Sequence, residues 1–187
     1  MVKYLGIPTA FATGATDVTG SSQLLDATAD FVAGGVQVGD KVFIQGAFGT
    51  FATGPATVTS VSTTSLGLSE AIAGTAGETY FIFAGDKDPK RDKYVLSIEN
   101  CIMVEGSGFG ANIIHINNLA NADAYQLQTI SFGATYTNTE YLVGVFEKYW
   151  ERAASSKATD SIHYIPLNEF YDSVNNQWYA TSQILIA

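Results

Sequence analysis

The chain has 187 residues, of which 47% are hydrophobic and 12% aromatic; that composition excludes a disordered chain and suits one large domain or two small ones. Its net charge of −9 leaves no basic footprint of the kind that direct DNA or RNA binding requires. Only 14% of residues are charged, against about 25% in an average globular protein, so much of the surface must be Thr, Ser, Ala, Gly and Asn, a composition suited to contact with other proteins.

In chain order, MVKYLGIPTAFATG reads as an arm or a first strand. It lacks the continuous apolar core of a signal peptide, and no run approaches the ~18 apolar residues of a membrane-spanning helix. In QLLDATADF, Asp26 is predicted to cap a single helical turn that carries Phe31 inward. Gly34 and Gly35 then supply the positive φ that leaves the turn. Val36 and Val38 alternate and are expected on one face, Gly39-Asp40 turns the chain, and KVFIQG is a strand. The stretch TADFVAGGVQVGDKVFI thus turns the chain, anchors it with Phe31 and starts a strand in fixed register.

GPATVTSVSTTSLGLSE continues as a hairpin. Ala56, Val58 and Ser60 alternate with Thr57, Thr59 and Val61, residues 62–65 turn, and Leu66 and Leu68 share a face. GETYFIFAG is a further strand. Short strands at roughly ten-residue spacing predict a small all-β barrel or sandwich over residues 1–85. The FATG shared by residues 11–14 and 51–54 is compositional, since a solenoid needs three or more repeats. GDKDPKRDK marks a boundary: Lys87, Lys90, Arg91 and Lys93 crowd beside Asp86, Asp88 and Asp92 around Pro89, so residues 86–93 form a charged linker or turn.

The second half, 94–187, reads as a β-rich domain with one helix. KYVLSIENCIMVEG is a strand or strand pair, and ANIIHINN and YQLQTISF are strands. The period then changes. Tyr141, Leu142, Val145, Phe146, Tyr149, Trp150 and Ala153 recur at i, i+3, i+4 spacing, predicting one amphipathic helix over about 138–154. Thr137 and Glu140 form its capping box, and Glu147, Lys148, Glu151 and Arg152 fall outside. IHYIPL, EFYDS and QWYATSQILI follow; Pro166 places its strand at an edge or breaks it, and SVNNQ is a hairpin turn. The fold class is therefore mainly β, a small barrel or sandwich followed by an α+β region with one helix.

No motif carries chemistry. GSGFG leads into a strand and not the helix that a dinucleotide fingerprint requires. Asp86, Asp88 and Asp92 lack the spacing, the glycine and the closing Glu of a calcium loop. A zinc site would need Cys101, His115 and His163 to converge, and Cys101 reads more simply as a small buried residue. Serines have no nucleophile elbow, and Glu99 and Glu105 have no spacing that defines a carboxylate pair. The expectation is no enzyme, no cofactor and no metal. Tyr164, Phe170, Tyr171, Trp178 and Tyr179 stand apart as core or contact surface, and form the candidate interface.

DATADFVAGGVQVGDKVFI, GPATVTSVSTTSLGLSEAI and GETYFIF together resemble a module of tailed-phage virion proteins. There an ADF…GV..GD.V segment precedes a Thr/Val strand, a Ser/Thr turn and a Leu-rich strand. The likeness covers about residues 16–84 and occurs in head, connector and tail components. It implies a non-enzymatic virion protein, assembled in the host cytoplasm, either a capsid decoration (cement) protein or a tail-tube, neck or adaptor subunit. Its expected partners are the major capsid protein and copies of itself, with neither nucleic acid nor membrane. A carbohydrate-binding module built on the C-terminal aromatics is the reading from another class.

Overall fold

The computed structural model describes residues 3–17, 21–44, 55–71, 76–85, 94–97, 101–106, 113–118, 126–132, 139–157, 162–174, 177–178 and 181–186. It is mainly β with a single helix among them. The chain forms two compact units, residues 10–91 and residues 1–9 with 92–187.

The unit over 10–91 is one antiparallel sheet. After β1 (Tyr4–Ile7), which belongs to the other unit, its strands are β2 (Ala12–Ala15), β3 (Gln23–Leu25), β4 (Lys41–Ile44), β5 (Ala56–Val61), β6 (Ser65–Leu68) and β7 (Thr79–Phe83), in spatial order β2-β7-β4-β5-β6-β3. The alternating residues face one core: Leu24, Val42, Ile44, Ala56, Val58, Leu66, Leu68, Tyr80 and Ile82, joined by Phe31 and Val36. Phe43 and Phe83 alternate with these and are also buried, their rings edge-on at 5.4 Å.

The sheet is curled into half a barrel. β7 and β3 stand four strand spacings apart, ~19 Å if the sheet were flat, which is further than a Tyr and an Asp side chain together can reach. Yet the Tyr80 hydroxyl donates to Asp26 Oδ2 at 2.8 Å. The backbone agrees, for the Asp17 N–H, just beyond β2, donates to the Leu25 carbonyl in β3 at 2.7 Å. The outer strands have therefore been brought together. Asp26 is 4% exposed, and its Oδ1 accepts from the Thr28 N–H (2.8 Å) and hydroxyl (2.6 Å). Gly14 lies against this pair: a Cβ there would collide with the Tyr80 hydroxyl and stand 2.6 Å from Asp26 Oδ2.

A second buried carboxylate sets the other end. Asp40 accepts from the Gln37 N–H (2.8 Å) and the Gly85 N–H (3.0 Å), tying the entry of β4 to the exit of β7. The register Val42↔Ile82 and Ile44↔Tyr80 follows.

Three local expectations are corrected. Asp30, not Asp26, caps the turn that buries Phe31: its Oδ1 accepts from the Ala33 N–H at 2.9 Å, while Asp26 closes the preceding turn. Val36 is buried but Val38 is 67% exposed, because residues 36–39 turn, with Gly39 at φ 100°, and do not extend. Ser60 is exposed and Val61 packs on the core, because the β5–β6 register shifts between Val58 and Ser60, and such a bulge reverses the facing beyond it.

In the other unit, β1 (Tyr4–Ile7) is central in a three-stranded sheet. It pairs antiparallel with β8 (Tyr94–Ser97) and parallel with β12 (Ile162–Tyr164). Residues 4–7 are thus a strand of the C-terminal unit and not an arm of the N-terminal one; Leu5 and Ile7 are buried there. β12 is an edge strand that ends before Pro166, as the proline demands. A four-stranded antiparallel sheet has the order β15-β11-β10-β9, with β9 at Cys101–Gly106, β10 at Ile113–Asn118, β11 at Gln126–Phe132 and β15 at Thr181–Ile186. The helix α1 (Thr139–Ser155) packs against β1, β9, β10 and β12. It buries Leu142, Val145, Phe146, Tyr149 and Ala153, and exposes Glu147, Lys148, Glu151 and Arg152. Lys3 donates to the Ala154 carbonyl at 2.5 Å, placing a cation at the negative end of the helix. The linker 86–93, Thr137 of the capping box and residues 107–110 of GSGFG lie outside the described residues.

The closure of the sheet is open to measurement. Tyr80→Phe removes one donor to a buried carboxylate and is expected to cost about 1–3 kcal/mol, read as a lower denaturation midpoint at pH 7. Burial by itself raises the pKa of Asp26, but the hydrogen bonds from Thr28 and Tyr80 outweigh it and hold the carboxyl below its ordinary 3.8. A depressed pKa stabilises the fold above 3.8, and that contribution is lost as pH falls through the folded-state value. The stability gap between the wild type and Asp26→Asn should therefore narrow below pH 3.8; a gap that stays constant into strong acid contradicts this account.

Candidate functional site

Of the aromatic residues singled out in the sequence, Phe170 and Tyr171 lie in a segment fastened to α1. After β12 the chain forms a 3-10 turn (Leu167–Phe170), then a short hairpin of β13 (Tyr171–Asp172) and β14 (Gln177–Trp178). The strands that flank SVNNQ pair as a hairpin, and Asn175 and Asn176 lie outside the described residues. Asp172 is 1% exposed and its Oδ1 accepts from the Val174 N–H at 2.9 Å, starting the reversal.

The helix holds this segment by four contacts. Tyr141 Oη lies 2.8 Å from the carbonyl oxygens of both Glu169 and Tyr171, so its proton serves the 3-10 turn and the start of β13. The Phe146 and Phe170 rings meet edge-on at 6.1 Å. Lys148 pairs with Glu169 at 2.9 Å, and the Tyr149 hydroxyl donates to Glu169 Oε1 at 2.9 Å. Lys148 Nζ and Arg152 also stand over the Tyr149 ring, 5.3 and 5.9 Å from its centroid.

These contacts decide the charge states. The Lys148 hydrogen bond, helped by Tyr149, holds the Glu169 carboxyl below its usual value although partial burial acts the other way. Burial raises the Tyr149 hydroxyl, and the Glu169 carboxylate adds to the rise. Glu169, its carboxyl held below the usual range by Lys148, accepts from Lys148 and Tyr149 and fastens the turn to the helix. That is a structural use of the group, with its lone pairs directed at fixed donors.

The five residues fare differently. Phe170 is 1% exposed and belongs to the core, because the helix covers it with Phe146; it is unavailable to a partner. Tyr164 is half-buried, its ring lying over Gly6 of the neighbouring strand, where a Cβ would collide with Cδ1. Tyr171 and Trp178 are half-buried and directly opposed across the hairpin, ring centroids 5.0 Å apart at 38°. Tyr179 lies outside the described residues. At the hairpin turn Val174 is 90% exposed. In the other unit Val32 (59%) and Val38 (67%) are exposed on the turns around residues 31–39.

The sequence did not signal the roles of Tyr141, Lys148 and Glu169. Glu169 lies 21 residues beyond Lys148, and only the fold brings them together. His163 sits in β12 and His115 in β10, in two different sheets. Among the described residues, no three of His, Cys, Asp and Glu converge into a metal-binding group. No helix among them is long and apolar enough to cross a membrane. The described residues at this place form an aromatic pair on a short hairpin, with Val174 exposed beside it and α1 fastened to the preceding turn.

No protein-family model matches the chain, and no curated protein matches it. Among solved structures the phage phi92 endosialidase is similar at 15% identity, over 74% of this chain and 23% of that one, with a TM-score of 0.24. A score of that size does not establish a shared fold, and no residue role is taken from that protein.

Tyr141→Phe tests the support. It should cost about 1 kcal/mol and speed amide exchange across residues 171–174, with the helix content unchanged. Unaltered exchange there would show that the hydroxyl does not anchor the hairpin.

Proposed function

We propose that the chain is a non-enzymatic structural protein of a tailed-phage particle, a capsid decoration protein or related subunit acting through contacts with the major capsid protein and with copies of itself. One observation carries this reading. The stretch resembling the virion module spends its two buried carboxylates on architecture: Asp26 closes the curled sheet and Asp40 sets the entry of β4. Asp40, in the GD of the resembled pattern, and Asp26, just before its ADF, are therefore accounted for as parts of a folding device, as a particle-building module would use them. The sparse charge and the exposed Val32, Val38 and Val174 add surfaces on which apolar contact gains most.

A glycan platform is less well supported. The rings of Tyr171 and Trp178 lean on each other, so each gives one face to its neighbour and not to a sugar.

Incubating the purified protein with tailed-phage capsids and sedimenting them tests the proposal. Saturable binding at a fixed number of copies per capsid is expected. Rings or tubes in negative stain of the protein alone would move the assignment to a tail-tube or neck subunit. A monomer that binds no capsid, but binds a glycan array through Trp178, would overturn it.

A further inference from the structure

We propose that residues 10–91 are an inserted module that opens as a unit of its own, and that β1 is a clasp of the host unit, holding the host sheet closed while the module opens. The host unit is built from both ends of the chain, residues 1–9 and 92–187. In its three-stranded sheet, of order β12-β1-β8, β1 is the strand that β8 and β12 share. Without residues 4–7 that sheet has no middle, and residues 94–187 by themselves cannot form it.

The clasp is fastened on every side that the described residues show. β1 pairs from Tyr4↔Ser97 to Ile7↔Tyr94 along one edge, and from Tyr4↔Ile162 to Gly6↔Tyr164 along the other. The Ile165 N–H adds a bond to the Gly6 carbonyl at 2.9 Å. Leu5 and Ile7 are 1% and 0% exposed, so apolar burial reinforces the backbone bonds. Gly6 leaves room for the Tyr164 ring, and Lys3 reaches the Ala154 carbonyl in the last turn of α1.

The insertion follows from where the chain leaves the host and returns to it. Ile7 and Tyr94 are partners in an antiparallel ladder, with Cα atoms about 5 Å apart. A turn of about two residues can join such strands; here residues 8–93 take its place. The module's own first and last strands are neighbours too. Ala12 pairs with Ile82, and the Phe11 N–H donates to the Ile82 carbonyl at 2.9 Å. The core cluster beneath them, which runs in sequence from Phe11 to Ile82, is drawn wholly from residues of the module. Adjacent ends and a core of its own are what insertion into a host loop requires. The inference rests on the fold and stands apart from the virion reading, since no capsid enters its test.

Amide exchange on the full chain at rising denaturant, for the wild type, Leu5→Ala and Val58→Ala, tests it. In the wild type, residues 4–7 are expected to lose protection together with 94–97 and 162–164, and at a different denaturant concentration from 41–44 and 79–83. Leu5→Ala should speed exchange in the first group at least about tenfold and leave the second unchanged. Val58→Ala should do the reverse. Residues 4–7 that follow 41–44 overturn the proposal. So does a single common transition in which either substitution speeds both groups alike. If a variant does not fold, the grouping of residues 4–7 in the wild type decides alone.

Discussion

The hydrogen bond from Tyr80 to Asp26 is the constraint on which the N-terminal unit depends. A six-stranded antiparallel sheet with one apolar face must cover that face, and this one does so by curling on itself. The curl needs a tie between strands that a flat sheet would hold far apart. A buried carboxylate with three donors is a strong tie because its charge is satisfied: Oδ1 has both Thr28 donors, and losing the Tyr80 hydroxyl takes from Oδ2 the donor that joins the strands. The tie also sets what may stand nearby. Only the absence of a side chain at Gly14 lets β2 pass the joined pair, so the glycine in the first FATG has a geometric reason.

The C-terminal unit uses the same physics with different parts. A helix amphipathic by sequence becomes a platform because polar groups at its margins reach out. Tyr141 takes two carbonyl oxygens, Lys148 and Tyr149 take Glu169, and Lys3 closes the last turn. The result is a short hairpin held rigidly from below with its tip in solvent. Among the described residues, Asp26, Asp40, Asp172 and Glu169 hold strands and turns in place.

Much of this was legible in the sequence wherever one period governed one segment. The helix, expected at 138–154, runs over Thr139–Ser155, since a seven-residue apolar stripe has few alternative conformations. The pairs Val42/Ile44, Leu66/Leu68 and Tyr80/Ile82 alternate into the core as the strand pattern requires. Reading failed where a local break intervened. A bulge exchanged Ser60 for Val61, and a positive-φ glycine turned Val38 outward, neither of which alternation can register. It also failed where partners are distant in the chain. β1 joins β8 across almost half the sequence and β12 across most of it, and Asp26 meets Tyr80 across 54 residues. Of the candidate surface residues, Phe170 proved to be core because its cover comes from a helix that the hairpin sequence says nothing about.

The measurement closest to the central claim is a double-mutant cycle at the closure. Asp26→Ala, Tyr80→Phe and the double variant are compared in denaturant unfolding at neutral pH. If the bond joins the edges of the curled sheet, the two substitutions are coupled, by at least about 1 kcal/mol. If their effects simply add, the carboxylate and the hydroxyl act independently, and the curl is held by the apolar core and the Asp17–Leu25 backbone bond instead.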